Sequence, residues 1–247
     1  MALSDYGTAL VTGASSGIGA ACVRALRARD LRVIAAARRQ ERLDALAEET
    51  GCGTLALDVS DTEALYDRLG GLEIDVLINN AGLGRGFEGF LTSTAAEIEE
   101  VIRVNVAAAI HVVRVLAEGM VARKRGHIVN IGSVAGLYPL GFPVYGASKG
   151  AIHLFAQHLR LDLKGSGVRM TEICPGRVET EFFDTAFRTP GDRDRYLSDF
   201  ELLKSSDIAD AILFALDAPW RMNVTTIELT PTEQIQGGSV VAPVARD

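Results

Sequence analysis

Along this chain, short aliphatic and β-branched runs alternate with stretches in which apolar residues recur every three or four positions. The runs Thr8 to Thr12, Arg32 to Ala36, Thr54 to Leu57, Val76 to Ile78, Gly126 to Ile131 and Arg169 to Cys174 predict strands. Gly17 to Ala28, Gln40 to Glu49, Thr62 to Leu69, Glu97 to Arg123 and Tyr145 to Lys164 predict helices. A repeated strand–helix order predicts an α/β fold, a doubly wound parallel sheet with helices on both faces. The near-continuous apolarity of the strands fits burial on both sides. No repeat of solenoid period, low-complexity tract or linker divides the chain, so residues 1–247 are expected to form one domain. The one irregular region, Thr185 to Ser206, is rich in Arg, Asp, Pro and Tyr and reads equally as a mobile lid or an ordinary surface loop.

Composition narrows the function classes. With 247 residues, 48% hydrophobic and 23% charged, the chain has the balance of a globular protein and excludes disorder and collagen-like repeats. A domain of this length buries roughly three-quarters of the surface its unfolded chain exposes, without disulfide or metal staples. Length alone also permits a (β/α)₈ barrel, so the motifs must decide. Net charge is −7, and the longest basic run is Arg123-Lys124-Arg125, which argues against a nucleic-acid partner. Cys22, Cys52 and Cys174 have no metal-ligand spacing and suit a reducing compartment, with the cytoplasm as the expected address. No charged-then-apolar leader opens the chain and no apolar run approaches ~18 residues, so neither export nor a membrane span is expected. His111, His127, His153 and His158 are scattered, with the last two on different helix faces, and no metal is expected.

Gly13-Ala14-Ser15-Ser16-Gly17-Ile18-Gly19 follows the first strand and opens the first helix, where a βα turn presents free backbone N–H groups to a phosphate. The spacing G-x-x-x-G-x-G also serves a tight turn that needs φ > 0, so placement carries the dinucleotide reading. Arg38 and Arg39 end the second strand, where an acid would bind a ribose 2′-hydroxyl; two guanidiniums there suit a 2′-phosphate or are solvated helix-start residues. Asp58-Val59 and Asn79-Asn80-Ala81-Gly82 lie at the ends of the third and fourth strands, facing the expected crevice. Asp58 could equally cap a helix, with Asp61 as its rival.

Tyr145 and Lys149 are four apart at the start of a helical pattern and share a face. A neighbouring ammonium stabilises a phenolate, which suits proton exchange near neutral pH. Ser133 follows a strand, at the carboxyl edge where open α/β sheets bind ligands, and could hold a carbonyl oxygen. Taken in order with the glycine turn and Asn79 to Gly82, the pattern resembles the short-chain dehydrogenase/reductase family from Thr12 to about Thr180. The motifs that carry the resemblance are Thr12 to Gly19, Asp58-Val59, Asn79 to Gly82, Asn105, Ser133, Tyr145, Lys149 and Pro175-Gly176-Arg177-Val178-Glu179-Thr180. The resemblance implies a Rossmann-like fold and a tetrad of Asn105, Ser133, Tyr145 and Lys149. Tyr145 would then exchange a proton with a carbonyl oxygen held by Ser133 while nicotinamide passes hydride. Lys149 would lower the Tyr145 pKa and hold the nicotinamide ribose, and Asn105 would bind a water leading to solvent. On the residues alone, Asn105 reads as an exposed or helix-bending asparagine. The segment Pro175 to Phe182, with Gly176, Val178 and Thr180, would pass the nicotinamide carboxamide.

Within that family the chain is most similar to NADP-dependent 3-hydroxy acid dehydrogenases, the group with serine and allo-threonine dehydrogenases and semialdehyde reductases. Arg38 to Leu43, Asn80 to Leu83, Asn130 to Ser133, Val144 to Lys149, Thr180 to Phe182 and the tail Met222 to Leu229 leading to Pro231 carry that similarity. The tail then runs through Thr230-Pro-Thr-Glu-Gln234 to Gly237-Gly238, where many members of the wider family have Asp-Gly-Gly after a strand. A short hydroxy acid needs a cation, and Arg85, Arg177 and Arg188 are the candidates beside the tetrad; each could instead be a solvated charge. The apolar segment Val134 to Val144 suits a more apolar ketone or secondary alcohol. It could also be packing or subunit-contact surface. A non-catalytic NADP-binding protein is a third reading, weakened by the complete tetrad. Family resemblance places the long helices Glu97 to Arg123 and Tyr145 to Lys164 at a subunit interface, and a homotetramer is expected, with a dimer next.

Overall fold

The turn after the first strand sits at the reversal point of a seven-stranded parallel sheet. In the computed structural model, which describes residues 3–198 and 200–235, the strands are β1 (Thr8–Thr12), β2 (Arg32–Ala37), β3 (Gly53–Ala56), β4 (Val76–Asn79), β5 (Gly126–Ile131), β6 (Val168–Pro175) and β7 (Thr226–Leu229). Their order is β3-β2-β1-β4-β5-β6-β7, so consecutive connections run one way from β1 to β3 and the other way from β4 on. A crevice opens at the carboxyl ends of β1 and β4, the switch point where such sheets bind ligands. The doubly wound α/β expectation holds, and the barrel is excluded.

Alternation along each strand sends side chains to two cores. Val11, Val33, Ile78 and Val129 meet Val23 and Leu26 of α1 (Gly17–Arg27) and Ile208, Ile212 and Leu216 of α9 (Ser205–Asp217). Leu10, Leu77, Ile128 and Met170 face the other way. They pack on Leu65 and Leu69 of α3 (Thr62–Leu69), Val112, Leu116 and Met120 of α5 (Ala109–Ala122), and Ala156 of α6 (Pro143–Asp162). The helix residues in these cores recur at the three- and four-residue spacing that puts them on one face.

Local chemistry sets the helix ends. α2 (Gln40–Thr50) stops at Gly51, whose φ of 69° is the left-handed C-cap that glycine adopts without a Cβ clash. α3 is capped by Asp61, whose carboxylate accepts the Ala64 N–H at 3.1 Å, which leaves Asp58 free of the capping role. α4 (Ala95–Ile102) begins with a capping box between Thr94 and Glu97. α6 starts two residues earlier than its apolar pattern suggests because Pro143 occupies its first turn.

Three features depart from the sequence expectation. The helix expected over Glu97 to Arg123 is a rod from Ala95 to Ala122 interrupted by a π-helical turn, Arg103–Ala108. This rod is long and apolar enough to cross a membrane by length and composition, where no such segment was expected. The three glutamates at its start had masked an apolar window that begins after them. Its buried residues face the sheet. Second, β7 and α9 were not anticipated; β7 is only four residues long and half-buried, too short for alternation to register. Third, the irregular region contains α8 (Pro190–Leu197) and overlaps the end of α7 (Phe182–Ala186), and both pack over the crevice through Phe183, Ala186, Phe187 and Tyr196. Gly237 and Gly238 lie outside the described residues.

Candidate functional site

The turn after β1 is shaped by close approach. Gly13 has φ +65°, and a Cβ there would come within 2.8 Å of Asn80 Nδ2. A Cβ on Gly19 would collide with the Gly13 carbonyl oxygen. The neighbouring strand end is sewn to this turn: Asn80 and Ala81 donate their N–H groups to Thr12 Oγ1, both at 3.0 Å, and Asn80 Nδ2 donates to the Thr12 carbonyl at 2.9 Å. Asn79 is buried and bonds Ala109 and Asn130. Gly13, Ser15, Ser16, Gly17 and Ile18 line one cleft with Asn80, Ala81 and Gly82. Ala14 and Gly19 are buried behind it, Ala14 with its N–H on the Ala36 carbonyl.

At one end of the cleft the guanidinium of Arg39 donates to Ser15 Oγ at 2.9 and 3.1 Å and to Ser16 Oγ at 2.8 Å. Its remaining edge pairs with Glu181 at 3.1 Å, and Arg42 holds the same carboxylate at 2.6 and 2.8 Å. Arg38 is more exposed and stands 3.8 Å from Asp58. Burial opposes ionisation of Asp58, but hydrogen bonds from the Ser60 N–H and hydroxyl, with Arg38 and Arg103 nearby, hold its carboxyl below the usual range. Asp58 and Val59 both line the cleft.

At the other end, Ser133 follows β5 and accepts the Ala135 N–H at 3.1 Å, and it lines the cleft with Tyr145. Lys149, one helical turn after Tyr145, donates to the Ile131 carbonyl at 2.8 Å, with its Nζ 5.9 Å from the centre of the tyrosine ring. Burial pushes the phenol above its ordinary value, the Ser133 hydrogen bond opposes this only in part, and the ammonium lies over the ring and on a carbonyl. Burial pulls Lys149 itself down to about 8, against the attraction of Glu172 and Cys174.

Asn105 lies inside the π-helical turn, buried, and outside the cleft lining. Its amide accepts the Leu83 N–H at 2.8 Å and donates to the Leu83 carbonyl at 2.8 Å and Ser148 Oγ at 3.1 Å. The side chain thus fastens the loop after β4 to α6.

Pro175, Gly176, Val178 and Thr180 line the cleft floor. Of the three candidate cations, Arg177 is buried and its guanidinium stacks 3.9 Å from the centre of the Tyr196 ring. Arg85 also lines the cleft but bonds Glu100 at 2.9 Å and the Thr185 carbonyl at 2.9 Å. Arg188 points away, onto Glu97 at 2.7 Å and the Thr92 carbonyl. The expected apolar wall divides: Leu140 and Phe142 line the cleft, whereas Tyr138 donates to Glu228 on β7. Phe87, Phe182 and Tyr196 surround Tyr145 and Phe142 with ring centres 4.0 to 6.0 Å apart.

Sequence reasoning missed Arg42, Glu181, Phe87, Tyr196 and Gln234. Arg42 was legible, since three residues from Arg39 on a helix is the same face. Gln234, which accepts the Arg177 N–H at 3.1 Å, had no signal in the chain. Nor did the cluster behind Ser133, where His153 Nδ1 lies 2.6 Å from Glu172 and Cys174 joins them within metal-ligating reach.

The cleft fits a phosphorylated dinucleotide: a glycine turn too tight for side chains, a guanidinium aimed at two hydroxyls at the end of β2, and proton-bearing groups at the far end. Comparison with known proteins agrees. The family model for short chain dehydrogenases matches residues 7–191. An uncharacterized short-chain type dehydrogenase/reductase of Sinorhizobium fredii is 38% identical over 245 residues, covering 99% of each chain. The NADP-dependent 3-hydroxy acid dehydrogenase of Salmonella typhi is 39% identical over 241 residues, 93% of this chain and 96% of that one. Among solved structures, the closed form of a serine dehydrogenase complexed with NADP+ is similar with a TM-score of 0.90 and 36% identity, over 97% of this chain and all of the other.

Proposed function

This chain belongs to the short-chain dehydrogenase family, and from that premise we propose that it is an NADP(H)-dependent oxidoreductase interconverting a 3-hydroxy acid, or a semialdehyde's alcohol, with its carbonyl form. The observation that carries the reading is one cleft joining the Arg39–Ser15–Ser16 cluster at one end to Tyr145, Ser133 and Lys149 at the other. Bound there, NADP(H) would supply or accept the hydride. Arg39, with Arg38 beside it, would hold the 2′-phosphate through paired donors. Asp58 and Val59 would flank the adenosine half, and Asn80 to Gly82 with Pro175, Gly176, Val178 and Thr180 would line the path to the nicotinamide.

In reduction, Tyr145 gives the proton on its hydroxyl to the carbonyl oxygen. Ser133 Oγ orients that oxygen, and its hydroxyl is near enough to Tyr145 to act on the phenol. Lys149 places a positive charge under the site and would hold the ribose hydroxyls. Asn105 keeps Leu83 and α6 in register.

Arg177 is the group best placed to bind a substrate carboxylate, because its guanidinium is buried, fixed against Tyr196 and open to the cleft. Arg85, on the same cleft lining, is the second candidate and is held by Glu100. The names of the relatives favour the same substrate class: one acts on 3-hydroxy acids and another on serine. A second reading, an apolar ketone or secondary alcohol, is favoured by Phe87, Phe142 and Phe182 around Tyr145. Residues 185–206 would act as the cover, closing through Tyr196. Exposed Leu154 and Leu161 on α6 and Val121 on α5 support an assembly through these helices, a homotetramer or else a dimer, and light scattering that returned a monomer would remove it.

The deciding experiment is the initial rate of nicotinamide oxidation with NADPH and NADH, over short 3-oxo acids, semialdehydes and apolar ketones, for the natural chain and Arg177→Ala. NADPH-dependent turnover of the anionic set, with a KM raised about tenfold or more in Arg177→Ala, is the expected result. Turnover of apolar ketones alone would leave the enzyme class standing and remove the hydroxy acid.

A further inference from the structure

Glu181 occupies an unusual position for an acid. It follows Thr180 in the cleft lining and stands at the head of α7, where its side chain caps no backbone group. Its carboxylate instead reaches across to Arg39 at 3.1 Å and to Arg42 at 2.6 and 2.8 Å. Arg39 is the residue whose other donors touch Ser15 and Ser16 of the glycine turn. A planar oxyanion therefore already sits on the guanidinium group that faces the turn, where the second strand ends.

We propose that Glu181 is a specificity-determining residue for the cofactor: an internal anion that occupies the 2′-phosphate clamp and sets how strongly NADP(H) is preferred over NAD(H). The inference rests on the reading that Arg39 holds the 2′-phosphate. A 2′-phosphate brings a charge of about −1.5 to −2 to Arg39, so it competes with Glu181 for the same donors and is repelled by it. NAD(H) has a neutral hydroxyl at that position and feels neither effect. Arg42 makes the arrangement reversible, because it keeps two contacts on Glu181 when Arg39 is given up. The two guanidiniums keep the Glu181 carboxyl ionised, Arg42 foremost, so the competitor is charged throughout the neutral range. Both partners are about half-exposed, so the competition is screened by salt.

The test is calorimetric titration of the full chain with NADPH and with NADH, in the natural protein, Glu181→Gln and Arg39→Ala, at low and high salt. Gln keeps the size of the side chain and removes its charge, and no helix cap is lost. The expected result is an NADPH-to-NADH affinity ratio about tenfold higher in Glu181→Gln than in the natural chain, with the gain shrinking at high salt. An unchanged ratio overturns the proposal, and a lower ratio overturns it by making Glu181 a support that aims Arg39. Failure of the underlying reading looks different: the natural chain would not prefer NADPH, and Arg39→Ala would leave its ratio unchanged. A natural chain without preference that acquires one in Glu181→Gln would uphold both, with Glu181 masking the Arg39 clamp.

Discussion

Tyr145 holds its proton at neutral pH because its surroundings disfavour the phenolate more than Ser133 favours it. A protonated phenol is a donor, which matches carbonyl reduction. Tyr145→Phe should keep the fold, checked by circular dichroism, and lose about 10²- to 10⁴-fold in kcat. Lys149, lowered to about 8 by burial, carries its charge below that pH and loses it above. The kcat/KM profile of the free enzyme should therefore fall on an alkaline limb near pH 8. Glu172 opposes the shift, so removing its negative charge in Glu172→Gln should move that limb to lower pH. A limb that stayed in place would separate Glu172 from the lysine. At this scale, residue types and spacings were legible, but charge states were not. The i,i+4 spacing put Tyr145 and Lys149 on one face, whereas the direction of the Tyr145 shift depended on how deeply the fold buries the phenol.

The element that does most for the site is the rod from Ala95 to Ala122. Its capping box satisfies N–H groups at the start of α4, so Thr94→Ala should cost about 1 kcal/mol of unfolding free energy, read from denaturant titration. Farther along, the π-helical turn points Asn105 inward to Leu83. Asn105→Ala leaves the Leu83 N–H and carbonyl without their partner. The expected outcome is a loss of about 1–3 kcal/mol together with reduced kcat, since Leu83 borders the cleft. Periodicity found this helix but not the turn within it, because one extra residue per turn leaves the apolar pattern on either side intact. Asp61 and Asp58 make the same point: both could cap α3, and only the backbone path decided for Asp61.

For the whole molecule, acid stability should reflect His127, buried against Tyr6 and Arg169 and held down to about 3 by burial first and Arg169 second. An unfolded histidine takes up a proton below about pH 6.5, while the folded one does so only near 3. The unfolded chain therefore binds more protons in that window, and stability falls as pH falls through it, by about 1.4 kcal/mol per pH unit at most. Urea midpoints from pH 7 to 4 should drop less steeply in His127→Gln; equal slopes would assign the acid sensitivity elsewhere.

Taken alone, the chain determined the α/β layering, six of the strands and the order of the glycine turn, Ser133, Tyr145 and Lys149, because hydrophobic period and turn chemistry are local properties. Only tertiary structure decided which charges meet. Arg39 and Glu181 are 142 residues apart, Arg85 and Thr185 are 100 apart, and Tyr138 and Glu228 are 90 apart. It also decided that Arg177, rather than Arg85 or Arg188, stands buried on the aromatic ring of Tyr196 in the cleft lining. Such pairings arise where loops converge at the carboxyl edge of the sheet, and loop convergence follows from strand order, which no periodicity in the sequence records.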